Sequence, residues 1–335
     1  MTDWNAFLLA QGAAIDGDAV RHFGEAPADY PRLGTIATLC DLADLGVLAV
    51  TGAKSAAFLQ GQTTADFVKA PPTGAIRGAC CNPQGRVFAL FTAIPDTTGY
   101  LLILPHALIE TTRDTLSRYA ALSRVALANV SAAFRILGLA SPSAAALLAG
   151  LEIPVEGTAA DGTHSLRHDP HRSLLLVPTA AAETRWQQIK ALAQPVGLPF
   201  WRLADIRAGI AVLSPATREQ FLPQMLDLDR RGAVSFNKGC YTGQEVVARS
   251  QHLGKLKRHL YRLGFAATVA PASGTSVSLA DGGQPVGMVI AAAMADTGRC
   301  EALAVLRDET RDCATLDLGA GPQPVTFLPL PSAAA

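Results

Sequence analysis

The residues best placed for chemistry lie between Phe221 and Arg249, above all in Lys238-Gly-Cys-Tyr-Thr-Gly-Gln-Glu245. Thr242-Gly-Gln-Glu245 has the form of a capping box, in which the Thr hydroxyl accepts from the backbone N–H of residue 245 and the Glu carboxylate reaches back to the cap. This predicts a helix from Gly243, with a cap worth about 0.5–2 kcal/mol. Cys240 then stands two residues before the cap, near the positive end of the helix dipole, with Lys238 close by and Gly239 permitting a tight approach. Both features favour a thiolate, which makes Cys240 the candidate reactive thiol and Lys238 its electrostatic partner. The alternative reading is a partly buried structural cysteine at a helix entry.

The remaining cysteines lack such support. Cys80 and Cys81 are adjacent in an expected strand and so point to opposite faces, one into the core and neither to catalysis. Cys40, Cys300 and Cys313 stand alone, and no C-x-x-C pair or finger spacing occurs, so neither a disulfide framework nor a metal site is expected. Between Lys238 and Arg262, Lys238, Arg249, Lys255, Lys257, Arg258 and Arg262 face the single acid Glu245. Such a stripe suits the carboxylates of a polyanionic cofactor tail or an RNA backbone, or is simply a solvated helix end. His252 and His259 within it have no partner at ligand spacing and read as surface residues.

These residues need a frame. A chain of 335 residues suggests two or three units, and 49% apolar with 17% charged residues excludes disorder. Lys plus Arg and Asp plus Glu both count 28, which excludes a nucleic-acid grip through bulk charge. Mean hydropathy is +0.24, yet no run of about 18 apolar residues occurs, so no membrane partner is expected. The N-terminus carries an acid and no basic stretch, which predicts a cytoplasmic location.

Two patterns repeat in order. Leu48 to Gly61 and Leu137 to Gly150 each read as a strand followed by a small-residue helix, and Tyr100 to Pro105 and Ser173 to Pro178 each read as a strand ending at Pro before a further helix. The simplest account is a pair of β-α-β-β-α units, the first carrying additional residues in the polar segment from Gln60 that suit a binding loop. Asn82-Pro-Gln-Gly-Arg86 reads as a hairpin turn. Short strands over Leu260–Phe265, Ser276–Leu279, Pro285–Ala291, Glu301–Leu306 and Val325–Leu328 predict a small antiparallel barrel. The expected class is α+β, with a region 1–255 of two lobes and a barrel over 256–330.

Lys238 to Glu245 resembles the K-G-C-Y-x-G-Q-E signature of the YgfZ family, folate-binding proteins related to the T protein of the glycine cleavage system. Phe58 to Asp66, Asn82 to Arg86, Arg118 to Arg124, Gln220 to Gln224 and Val247 to Arg249 also fall in the family's order. The resemblance implies two interlocked lobes and a C-terminal barrel around a central channel holding tetrahydrofolate or a derivative. It assigns cofactor contacts to Gln60, Gln62, Thr64, Asp66, Asp205, Gln224, Tyr241, Gln244, Glu245 and Arg249, the glutamyl tail lying toward Arg249. It further implies iron–sulfur client enzymes and assembly factors as partners, with tRNA reached indirectly through radical thiolation enzymes.

The chain departs from an aminomethyltransferase in three places. The T protein's catalytic Asp falls at about Ala89 and Leu90, and another of its Asp residues at Cys240, so methylene transfer from glycine lacks its acid or base. Where relatives often carry a pterin-binding Glu this chain has Arg207, which has no acceptor. A folate-dependent one-carbon transferase and an interaction module without folate are the alternative functions.

Overall fold

The first copy of the repeat places strand Leu45–Thr51 before helix Ser55–Gln62, and the second places Phe134–Ala140 before Ala144–Gly150. In the second half of each copy, Gly99–Pro105 and Arg172–Pro178 pass through single 3-10 turns into helices Ile109–Ser123 and Ala182–Lys190. A proline closes each strand because it cannot donate to the ladder beyond it. The computed structural model describes residues 3–70, 74–252, 256–282, 284–311 and 313–331.

Each copy builds one sheet. The first has the order Ile76–Cys81, Val87–Asp96, Gly99–Pro105, Leu45–Thr51, Ala126–Asn129. The second has the order Gly157–Thr158, His164–Asp169, Arg172–Pro178, Phe134–Ala140, Thr38–Asp41, Gln194–Val196. Strand Thr38–Asp41 precedes both copies in sequence, yet it pairs antiparallel to Phe134–Ala140 and parallel to Gln194–Val196. This exchange interlocks the lobes. All four of its residues are buried, and the Trp4 indole donates to Asp41 at 3.0 Å from the N-terminal helix Trp4–Ala10. That helix and Ala182–Lys190 cover the outer face of the second sheet through Trp4, Leu8, Trp186 and Ile189.

A closed six-stranded antiparallel barrel follows, in the order Arg258–Ala266, Arg299–Arg307, Gly287–Asp296, Ser276–Leu279, Thr315–Asp317, Pro322–Leu328. Thr315–Asp317 has three residues, too few to show a period in sequence. Cys80 and Cys81 correct the expectation of one buried side chain: both are buried. The ladder slips between them, and Gly243 packs onto Cys81 from the other face.

Candidate functional site

A cavity of about 910 Å³ lies between the lobes. The first lobe contributes Arg77, Leu90 and Phe91, the second His168, Asp169 and Arg172, and the segment after the lobes Arg231 and Ala233. Helix Leu198–Ala208 supplies a further part of the wall. It starts with Pro199 in its first turn and stops at Gly209 in the left-handed region, which only glycine adopts readily. Trp201, Asp205 and Ala208 recur at helical spacing and share the cavity side. Trp201 lies so close to the second sheet that a Cβ on Gly138 would meet its ring at 2.6 Å.

Charge in the cavity is organised around Asp205, which is 2% exposed. His168 Nε2 lies 2.8 Å from its Oδ1, Arg172 Nη1 donates to Oδ1 at 2.8 Å and Arg202 Nη1 to Oδ2 at 2.9 Å. Burial pushes the Asp205 carboxyl upward, but Arg172, His168 and Arg202 outweigh it and hold it well below the usual carboxylate range. Burial lowers His168 by more than Asp205 raises it, so the imidazole is neutral at neutral pH and donates Nε2–H to the carboxylate. Asp169 is also held below its ordinary value, since Arg172 overcomes the burial that would raise it. Both cavity carboxylates are therefore ionised, and neither can act as a general acid near pH 7. Leu90, at about the place of the T protein's acid, presents an alkyl group to the cavity, and Ala89 is fully buried.

Of the ligand and catalytic candidates singled out in sequence, Asp205 belongs to the cavity wall, together with the anomalous Arg207 and with Leu90. Arg207 is neutralised from the barrel: its Nη2 donates to Glu301 at 2.9 Å, and Arg262 grips the same carboxylate at 2.7 Å. Arg207 thus forms an ion-pair clamp between helix and barrel.

The other candidates gather on the far side of the first sheet or on the motif helix. Gln60 and Asp66 serve the backbone: Gln60 Nε2 donates to Asp66 at 3.1 Å, Gln60 Oε1 accepts from the Phe67 N–H at 2.7 Å, and Asp66 accepts from Val68 at 3.1 Å and Lys69 at 3.3 Å. Thr64 is buried, accepts from Ala79 N–H at 2.9 Å and donates to the Ala233 carbonyl at 2.6 Å, behind the cavity wall. Gln224 donates to the Val247 carbonyl at 2.7 Å and anchors the motif helix.

Lys238 does not address Cys240. Its ammonium donates to the carbonyls of Thr63 at 2.7 Å and Ala65 at 2.5 Å and lies 5.1 Å from the Tyr241 ring centre. Burial pulls it down to about 8, against a smaller upward pull from Asp66. Tyr241 is buried, and its hydroxyl is raised by that burial and by Cys81. Cys240 is exposed.

The expected capping box takes another form. The helix is Gln244–His252 and begins one residue late, because Gly243 has φ +84° and a Cβ there would meet the Asn82 carbonyl oxygen at 2.4 Å. Thr242 donates to Gln62 at 3.5 Å, and Glu245 pairs with Arg249 at 2.9 Å with both side chains exposed. Arg249 is accordingly placed outside the cavity wall, and Gln244 opens the helix. His259 is paired with Asp308 at 2.5 Å; Lys255 and the side chain of His252 fall outside the described residues.

Sequence reasoning missed Arg77, His168, Arg172, Trp201 and Arg231. One signal was present: His168-Asp-Pro-His-Arg172 sets charged and imidazole groups around a proline just before the apolar run Leu174 to Val177, and it folds as the hairpin tip of the second sheet with Asp169 accepting from the His171 N–H at 2.8 Å.

Residues 26–159 match the model of the GCVT N-terminal domain. Among solved structures, the glycine cleavage system aminomethyltransferase T from Bartonella henselae is similar at 15% identity with a TM-score of 0.77, covering 98% of this chain and 96% of that one. Heterotetrameric sarcosine oxidase from Corynebacterium sp. U-96 shares 17% identity over 50% of this chain and 94% of that chain, with a TM-score of 0.34. The first likeness establishes the α/β lobes and closed barrel as a shared fold.

Proposed function

We propose that this protein binds a reduced folate, tetrahydrofolate or a derivative, in the cavity between its lobes. On this reading it is an accessory factor in iron–sulfur cluster assembly or repair that acts through radical thiolation enzymes on tRNA modification. The observation that carries the folate part is the cavity itself. Its volume of about 910 Å³ suits a ligand of folate size, half-buried Ile36, Leu45 and Leu90 offer apolar contact, and arginines supply charge for carboxylates. The fold shared with an aminomethyltransferase supports the same ligand class. The accessory role is supported by Leu90 in the acid's place and by a motif that leaves Cys240 accessible to a partner.

Mass spectrometry of the protein purified natively without oxygen tests the ligand: a co-purifying reduced folate is expected. Neither a bound folate nor titratable binding of tetrahydrofolate would move the reading to an interaction module. In cells lacking the protein, the wild type should restore an iron–sulfur client's activity and Cys240→Ser should not; full restoration by the serine variant would remove the thiol from the function. One observation favours a folate-dependent one-carbon transferase instead, the neutral His168 at the cavity wall, which can carry a proton where Leu90 cannot. A one-carbon adduct on folate, consumed with turnover and lost in His168→Gln, would select that reading.

A further inference from the structure

Five arginines and two aspartates line the cavity, and the charges are unevenly spent. Arg172 is held by Asp169 at 2.6 Å and Asp205 at 2.8 Å, Arg202 by Asp205 and Asp44, and Arg207 by Glu301. Arg77 and Arg231 differ. Among the described residues no carboxylate lies within 4.0 Å of either, and both are held by main-chain carbonyls: Arg77 Nη2 by Arg167 at 2.5 Å and His168 at 2.6 Å, Arg231 Nη2 by Ala208 at 2.7 Å. Those carbonyls aim the guanidinium groups without neutralising them.

The two arrive from opposite sides. Arg77 leaves strand Ile76–Cys81 of the first lobe and crosses to the hairpin tip of the second, while Arg231 lies over the end of helix Leu198–Ala208, where a Cβ on Gly209 would meet its Nη2 at 2.5 Å. Burial acts most strongly against the charge on Arg77; Glu156 and Asp169 favour it from beyond contact distance, and Arg231 is near enough to work against it. Holding two like charges in one cavity is unfavourable until an anion joins them, and a carboxylate satisfies both while releasing little order from groups already fixed.

We propose that Arg77 and Arg231 form a carboxylate-docking subsite that receives the anionic end of the cavity ligand. Resting on the folate reading, this places the α- or γ-carboxylate of the first glutamate inside the cavity between the lobes. The tail is thereby withdrawn from Arg249, which the exposed Glu245 pair already occupies.

The test compares tetrahydrofolate with tetrahydropteroate, which lacks the glutamate, on the full chain and on Arg77→Gln and Arg231→Gln, with thermal melting as the check on folding. Each variant should lose about 10-fold or more in affinity for tetrahydrofolate and little for tetrahydropteroate, as expected of a charge-assisted bond. Equal losses on both ligands, or no loss, would overturn the subsite and leave the folate reading standing. N-(4-aminobenzoyl)-L-glutamate, which has no pterin, separates the two ideas. Its binding to the parent, lost in the variants, supports the subsite even where tetrahydrofolate fails; its failure along with tetrahydrofolate overturns both. Should either variant not fold, the parent's preference for aminobenzoyl-glutamate over aminobenzoate must shrink as salt rises, and a salt-independent preference would overturn the subsite.

Discussion

The cavity and the motif face are built on opposite principles. The cavity draws its polar groups from both sheets, one helix and a late loop, and binds them into a buried network in which Asp205 is held by two arginines and a neutral imidazole. The motif face draws on two short runs, 60–66 and 238–249, and spends its side chains on backbone: Lys238 and Thr64 each bond carbonyls that tie one run to the other or to Ala233. A recognisable run of residues therefore marks where the chain is stitched and where Cys240 is displayed, whereas the ligand-sized space is assembled from residues with no common pattern.

If the contrast holds, thiol labelling should divide almost absolutely. Iodoacetamide at pH 7.5 should modify Cys240 while Cys40, Cys80, Cys81 and Cys300 stay intact in the folded protein, since burial pushes Cys81 and Cys300 up to about 12 and Cys40 and Cys80 well above the ordinary thiol range. Peptide mapping reads the result, and early labelling of Cys81 would show that the motif loop does not cover it.

Next in size, Arg172→Leu removes the largest counter-charge of a carboxylate that is 2% exposed. Breaking a buried pair from one side costs about 3–5 kcal/mol, and urea unfolding should show a loss of that order. A loss below about 1 kcal/mol would mean that water reaches Asp205 and that the cavity network is not dry.

A pH series separates Lys238 from the rest of the motif face. The folded chain releases this proton near pH 8 and the unfolded chain near 10.5, so between those values the unfolded state binds more protons and stability climbs with pH. Lys238→Met should abolish the climb and lower stability at pH 7 by about 1–3 kcal/mol through two lost bonds to carbonyls. Melting curves of both proteins from pH 7 to 10.5 decide it, and parallel profiles would show that the lysine is solvated.

The smallest effects belong to the motif helix. Thr242→Ala should cost less than about 0.5 kcal/mol, since its hydroxyl makes one contact at 3.5 Å rather than a cap. Arg249→Ala should cost similarly little because both partners of its pair are exposed. A denaturation midpoint shift above that range in either variant would restore the capping box or give the helix a binding role.

Local sequence determined much of the frame. Proline-closed strands, small-residue helices, the Asn82 turn with Asn82 accepting from Gln84 and Arg86, and most barrel strands were legible because each depends on residues a few places apart. The motif's prominence and the lack of a carboxylate from Val87 to Phe91 were equally plain from residue identities. What only the tertiary structure decided was which polar groups share a space. Gly243 contacts Asn82 and so shifts a helix start; strand Thr38–Asp41 enters the far lobe's sheet; Arg207 meets Glu301 across 94 positions; Arg77 reaches His168 across 91. Each of these is a long-range pairing fixed by how the sheets and barrel pack, and a side chain's charge partner, unlike its helix or strand, leaves no periodic trace along the chain.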